Sequence, residues 1–379
     1  MQRTPPPSEP VVRDRRERRI PAVPRLDAGA SFSTRVESLA LAVAAGGAVI
    51  GVAVGLSVLP DPAALSGNRS IGQIASMCAL SAAGTAAALV LLFTTPRAQP
   101  WMRTVRWWRR IPMVLGTGLM MGGLALLMTS AMYAVFQQAF RGLALDRWAG
   151  TFWVMITTAG WAYAAVTAAA TLSSSSLSSL LALFLISGIL AAALTSPNPY
   201  WWERFFSDLG AQPGRSGLAF NLTLLLAGMA LIAVAEFVSH DVAVWADRTG
   251  EARWKARVIR SVLALLGVLV AIVALIPMDV NRSVHDAAAQ SLVLVFAGAT
   301  LLFPILLRRM PGGLTLVTAV ALVLLLALML LFKPVRYLNM TAFEMGAGAI
   351  VYTWLVLLVR MVAAAAQEHH VTEEARIPA

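Results

Sequence analysis

Three short segments of this sequence set an ionisable side chain beside turn-forming or helix-starting residues: Ser207-Asp208-Leu209-Gly210, Asn281-Arg282-Ser283-Val284-His285-Asp286 and Thr341-Ala342-Phe343-Glu344. One imidazole and two carboxylates can run acid–base chemistry or hold a polar ligand, provided that they come within hydrogen-bond reach of about 3 Å. In a hydrolytic version His285 is the general base or a metal ligand, and the acids orient it or hold a cation. Asp208, His285 and Glu344 are therefore the candidate catalytic residues. Ser207, Asn198, Asp279 and Trp202, close to them in sequence, are the candidate substrate contacts. A metal centre needs three or four ligands, and this set is thin. No metal site and no cofactor is assigned.

Each residue also has a purely structural reading. Asp208 fits a turn acid before Gly210. Ser283 with Asp286, and Thr341 with Glu344, have the spacing of helix capping boxes, which would account for both acids at helix starts. His285 has no such explanation, because an imidazole at the end of a lipid-crossing helix is either buried against a polar partner or open to the exterior.

The elements that must position these residues follow from composition. The 379 residues are 58% hydrophobic and 13% charged, whereas a soluble globular chain carries roughly a quarter charged residues. Apolar runs of about 20 residues recur, each long enough to cross a hydrocarbon core of about 30 Å as a helix, the form that satisfies its own backbone in lipid. The runs predict spans at 39–59, 71–93, 111–136, 150–171, 177–195, 218–238, 258–276, 285–307, 314–332 and 343–363. The fold class is an all-α, polytopic transmembrane bundle of about ten spans. Residues 1–37, rich in Pro and Arg, read as a disordered basic tail. A four-span unit over 38–172, a six-span core over 173–363 and a second tail over 364–379 complete the division.

Alternating the connectors between two sides puts about 22 of the 30 Lys and Arg residues on the side of the N-terminal tail. By the positive-inside rule that side is cytoplasmic, so both termini are inside a cell membrane and the three segments share the outer face. The net charge of +11 is thereby explained by topology, with membrane lipids rather than nucleic acid as partners. Trp101, Trp107 and Trp108, interleaved with Arg103, Arg106, Arg109 and Arg110, read as an interfacial belt with snorkelling cations. Ser173 to Ser176 form a short turn with no assigned chemistry. Gly118, Gly122, Gly123 and Gly346-Ala347-Gly348 are expected to let helices approach closely. The lone Cys78 excludes an intramolecular disulfide and reads as packing. His240 with Asp241 reads as a solvated interfacial pair and Glu236 as a snorkelling acid near the same end. His369 and His370 belong to the polar tail, and the Arg- and Ala-rich character reads as bacterial.

Asn198-Pro199 after an apolar span, Ser207-Asp208-Leu209-Gly210, Phe220-Asn221, Pro277 and Asp279 with His285 downstream, and Glu344 with Trp354 occur in an order and spacing that carry a resemblance. The stretch from about 177 to 363 resembles the six-span bacterial and archaeal membrane family catalogued as domain of unknown function 998. That family is similar, more distantly, to eukaryotic membrane proteins that remodel the lipid of glycosylphosphatidylinositol anchors, which implies a lipid-facing role at the outer leaflet. Spans one to four fall outside the resemblance.

The sequence thus predicts an integral membrane protein of uncharacterised activity, with an outer-leaflet polar pocket that binds or processes a lipid or lipid-linked substrate. The alternatives are a non-enzymatic scaffold or assembly factor and, ranked lower because the acids sit at span ends, a small-molecule or proton-coupled transporter.

Overall fold

The computed structural model describes residues 28–310 and 313–374, with side chains over 32–310 and 313–367. Residues 1–27 of the expected basic tail, the side chains of His369 and His370, and residues 375–379 lie outside the described residues. Among the described residues ten helices are long and apolar enough to cross a membrane. They are α1 (Ala28–Val58), α2 (Ile71–Phe93), α3 (Trp107–Ala139), α4 (Arg147–Ala170) and α5 (Ser174–Leu194). The others are α6 (Arg215–Thr249), α7 (Trp254–Leu275), α8 (Met278–Leu306), α9 (Gly313–Phe332) and α10 (Met340–Glu374). The protein is a multi-pass membrane bundle. The only strands among the described residues are Ala63–Ala64 and Ala144–Leu145, which pair antiparallel and tie two connectors together.

In the first four helices α1 packs on α4, α4 on α2, and α2 on α3. Gly47, Gly51 and Gly55 recur every fourth residue along the contact of α1 with α4. A Cβ at Gly51 would lie 2.7 Å from Met155 Cα, and one at Gly55 would lie 2.8 Å from Thr151 Oγ1. Small residues at that spacing let two backbones approach closely, which matters where lipid offers no hydrophobic drive for helices to associate.

Among the last six helices α6 is the hub, in contact with α3, α5, α7 and α10. Gly228 of α6 and Gly267 of α7 face each other so closely that a Cβ on either would come within 2.6 Å of the other's carbonyl oxygen. Trp354 of α10, 1% exposed, closes the far side. Its Nε1–H donates to Thr318 Oγ1 on α9 at 3.0 Å, and its ring meets Phe296 and Phe303 of α8. By contrast, α9 turns Leu316, Val323 and Leu326 outward, each at least 60% exposed, as a helix facing lipid does.

The structure corrects several expectations at the arginine-rich end. Helix α6 continues to Thr249, past the apolar run, because Val242, Trp245 and Ala246 keep a buried stripe going. Glu236 does not snorkel: it is 6% exposed and takes a two-pronged ion pair from Arg109 of α3, with Arg109 Nε to Oε1 at 2.7 Å. His240 and Asp241 are not a solvated pair. The His240 ring stacks on Trp101, centroids 4.5 Å apart, and Asp241 accepts from Ser174 Oγ. Trp101 consequently leaves the interfacial belt, while Trp107 and Trp108 stay exposed. The serine run supplies a capping box for α5 through Ser173 and Ser176.

Candidate functional site

The segment between α5 and α6 folds back onto the bundle for identifiable reasons. Asn198 Oδ1 accepts from Tyr200 N at 2.9 Å, and Ser196 Oγ donates to Asn198 O, so the chain turns immediately after α5. A single 3₁₀ turn, Trp201–Glu203, and a short helix, Asp208–Ala211, follow. Leu209, fully buried, packs with Ala192 and Phe220. Asn221 Nδ2 donates to Gly210 O at 2.9 Å, and a Cβ at Gly210 would lie 2.6 Å from Asn221 Oδ1. Only glycine allows that approach, so Leu209-Gly210 and Phe220-Asn221 act as an anchor that holds Ser207 and Asp208 against the end of the bundle.

Two asparagines set the helix starts that carry the other candidates, and they overturn both expected capping boxes. In α8 the backbone is extended at Asn281, whose Oδ1 accepts from Val284 N at 3.1 Å. For α10, Asn339 Oδ1 accepts from Ala342 N at 2.8 Å, and its Nδ2 donates to Trp202 O at 2.9 Å. Asparagine is among the strongest N-caps. With the first-turn donors taken two residues upstream, Ser283 and Thr341 are not caps. Asp286 instead sits 3.6 Å from Arg282. Glu344 is freed to reach across to the α5–α6 segment, where its Oε2 accepts from Phe206 N at 2.6 Å.

These starts bring Asp208, His285 and Glu344 together. The Glu344 carboxyl lies within electrostatic range of both Asp208 and His285. No hydrogen bond joins any two of the three among the described residues. Asp208 has a 17% exposed side chain and Arg204 at 3.8 Å. His285, 6% exposed, has Nδ1 2.9 Å from Ile276 O. A carbonyl only accepts, so Nδ1 carries a proton, and in the Nδ1–H tautomer the ring presents a lone pair at Nε2. Nε2 has no hydrogen-bond partner among the described residues. Near Glu344, Thr341 is 2% exposed and its Oγ1 is buried without a partner.

The other candidates divide. Ser207 borders the cluster, its Oγ 3.7 Å from Met278 Sδ. Trp202 contributes its carbonyl to Asn339, while its ring is 48% exposed. Asn198 is spent on its own turn and Asp279 is exposed, so neither is drawn into the cluster. Among the described residues no group of three His, Cys, Asp or Glu side chains is disposed to hold a metal ion. Two surface grooves, one lined by Thr171, Ser176 and Ser179 and the other by Arg35, Thr94 and Arg97, lie at the arginine-rich end and share no residue with the cluster.

Residues 179–361 match the family model described as protein of unknown function (DUF998). The chain carries a DUF998 domain. No curated protein and no solved structure matches the chain. The DUF998 domain runs from within α5 to within α10 and so contains the whole cluster, while α1–α4 lie outside it. Within the domain the residues behind the sequence resemblance do two jobs. Gly210, Phe220, Asn221 and Trp354 pack, whereas Asp208, His285 and Glu344 converge. Sequence reasoning missed Asn281, Asn339, Thr341 and the Phe206 amide. The signal for the two caps was present, since each asparagine stands two residues before an expected cap, but the backbone donor and the orphaned hydroxyl left none.

Proposed function

We propose that the DUF998 domain binds a lipid or lipid-linked substrate by its polar head, at the end of the bundle where α5–α6, α8 and α10 meet. The observation that carries the proposal is the convergence of Glu344 on Asp208 and His285, with valences left open. Glu344 Oε1, the Asp208 carboxylate and His285 Nε2 are all acceptors, so the matching ligand donates hydrogen bonds, as a hydroxyl-rich or amine-bearing head group does. Exposed Tyr200 and Trp202 beside the cluster suit the interface, where such a head group resides. With the arginine-rich end cytoplasmic, the cluster faces the outer leaflet of a cell membrane. Binding is favoured over processing, because neither acid is hydrogen-bonded to His285 to orient it as a general base. In a hydrolytic version His285 Nε2 would take the proton from an attacking hydroxyl or water.

A second reading, a non-enzymatic scaffold, draws on the Glu344 to Phe206 bond, which fastens the α5–α6 segment to α10. Comparing the membrane lipids of cells lacking the protein with those of cells carrying His285→Ala, Asp208→Asn or Glu344→Gln separates the two. The lipid reading expects the variants to insert at normal levels and to reproduce the lipid changes of the deletion. Lipids unchanged in every strain would remove it and leave the scaffold.

A further inference from the structure

The arginine-rich end carries a groove that the outer cluster does not explain. It has a volume of about 610 Å³ and is lined by Phe32, Arg35, Val36 and Leu39 of α1 with Thr94, Arg97 and Ala98 after α2. The four α1 residues follow the i, i+3, i+4, i+7 rule for one helix face. That face is apolar except for one guanidinium. Arg35 and Arg97 are both exposed, and no acid pairs with either among the described residues. The nearest acid in sequence, Glu37, is turned away: two residues along a helix is more than half a turn, and its Oε1 accepts from Tyr163 OH of α4 at 2.7 Å. The Thr94 side chain makes no capping hydrogen bond.

We infer that this groove binds an anionic membrane lipid, its phosphate held by Arg35 and Arg97 and its acyl chain lying along Phe32, Val36 and Leu39. Charge complementarity and position select that occupant. Two guanidiniums that no acid pairs among the described residues suit a phosphate, which they can meet with paired N–H donors. The floor is apolar and sits at the ends of two lipid-crossing helices, where basic pockets meet lipid head groups. A free phosphate would leave that floor uncovered. The groove lies outside the DUF998 domain and at the opposite end from the outer cluster, so it stands or falls separately from the proposed function.

The test is lipid retention by the full-length protein, purified in neutral detergent and measured by native mass spectrometry after mixing with phosphatidylglycerol, with phosphatidylcholine, or with inorganic phosphate. The unaltered protein retains phosphatidylglycerol in preference to phosphatidylcholine, and raising the salt weakens that retention. Each of Arg35→Ala and Arg97→Ala weakens it about fivefold, and the pair about thirtyfold, as expected for basic residues at a membrane surface. Arg257→Ala, at the same end outside the groove, leaves it unchanged. Equal retention of the two lipids by the unaltered protein overturns the inference without recourse to any variant, as does full retention by a folded double variant. Inorganic phosphate that displaces the lipid at equal concentration would show a simple anion site and overturn the lipid assignment.

Discussion

Glu236 and Glu344 are both carboxylates on long helices of the DUF998 domain, at opposite ends of the bundle, and their surroundings differ in kind. Glu236 receives two guanidinium N–H groups from Arg109, and the contact joins α6 to α3. Glu344 receives one backbone N–H, from Phe206, and its second oxygen has no hydrogen-bond partner among the described residues, with His285 and Asp208 in electrostatic range of the carboxyl. Both are held, but only the first is saturated. Saturation marks a carboxylate used for assembly, whereas an unfilled valence beside a fixed imidazole marks one available to a ligand.

The contrast can be broken first at its strong end. Arg109→Ala strands a buried carboxylate, and losing one partner of such a pair typically costs about 3–5 kcal/mol. The expected outcome is a large fall in thermal stability in detergent, with little folded protein recovered; a melt like that of the unaltered chain would show that Glu236 is not saturated by Arg109. At the other end Glu344→Leu leaves the Phe206 amide without an acceptor and costs about 1–3 kcal/mol. Glu344→Gln keeps an acceptor there, so it should melt within about 0.5 kcal/mol of the original while losing the lipid phenotype. A Gln variant as unstable as the Leu variant would make Glu344 structural and erase the comparison.

Smaller effects sharpen it. Asn339→Ala and Asn281→Ala should each cost about 1 kcal/mol as lost caps, while Ser283→Ala should fall within about 0.5 kcal/mol of zero; the reverse ranking in melting midpoints would restore the capping boxes that the spacing suggests. Acid should touch the saturated end as well. Lys255, 2.7 Å from Glu251, and then Arg309, at 3.2 Å, hold the Glu251 carboxyl below its ordinary range. A depressed folded-state pKa contributes stability above the unfolded value of about 4.3, and the contribution fades as pH falls through the lower folded value. Melting midpoints measured downward from pH 5 should therefore fall less steeply for Glu251→Gln than for the unaltered chain.

The fold was legible because its signal is crude and repeated. Each apolar run long enough to span lipid is a helix in the structure, and the boundaries differ mainly where amphipathic turns extend beyond the run, as at Ala28 and Thr249. That Asp208, His285 and Glu344 share one end of the bundle followed from counting sides, whereas the approach of Glu344 to the other two depends on the path of the α5–α6 segment. What the sequence withheld was local. Ser283 and Asn281 are both good caps, and which one wins depends on where the chain emerges from Pro277, a matter of backbone path. The charges at the arginine-rich end were misjudged for a different reason: hydropathy records Glu236 as a cost but cannot show that Arg109, more than a hundred residues earlier, lies opposite. Pairing across two units is tertiary information.

The Arg109 and Glu236 contact also limits how this architecture can be divided. Position 236 belongs to the DUF998 domain, yet the cation that neutralises it is supplied by α3, which the domain match does not cover. A six-helix version freed of its leading helices would lose that hydrogen-bonded partner along the seam that α3 now covers, with Arg260 of α7 still in electrostatic range of the carboxylate. Such a chain must draw Arg260 into the pair or exchange the glutamate for a neutral residue. Positions 236 and 260, read together in a relative's sequence, therefore bear on whether a companion helix stands beside the hub.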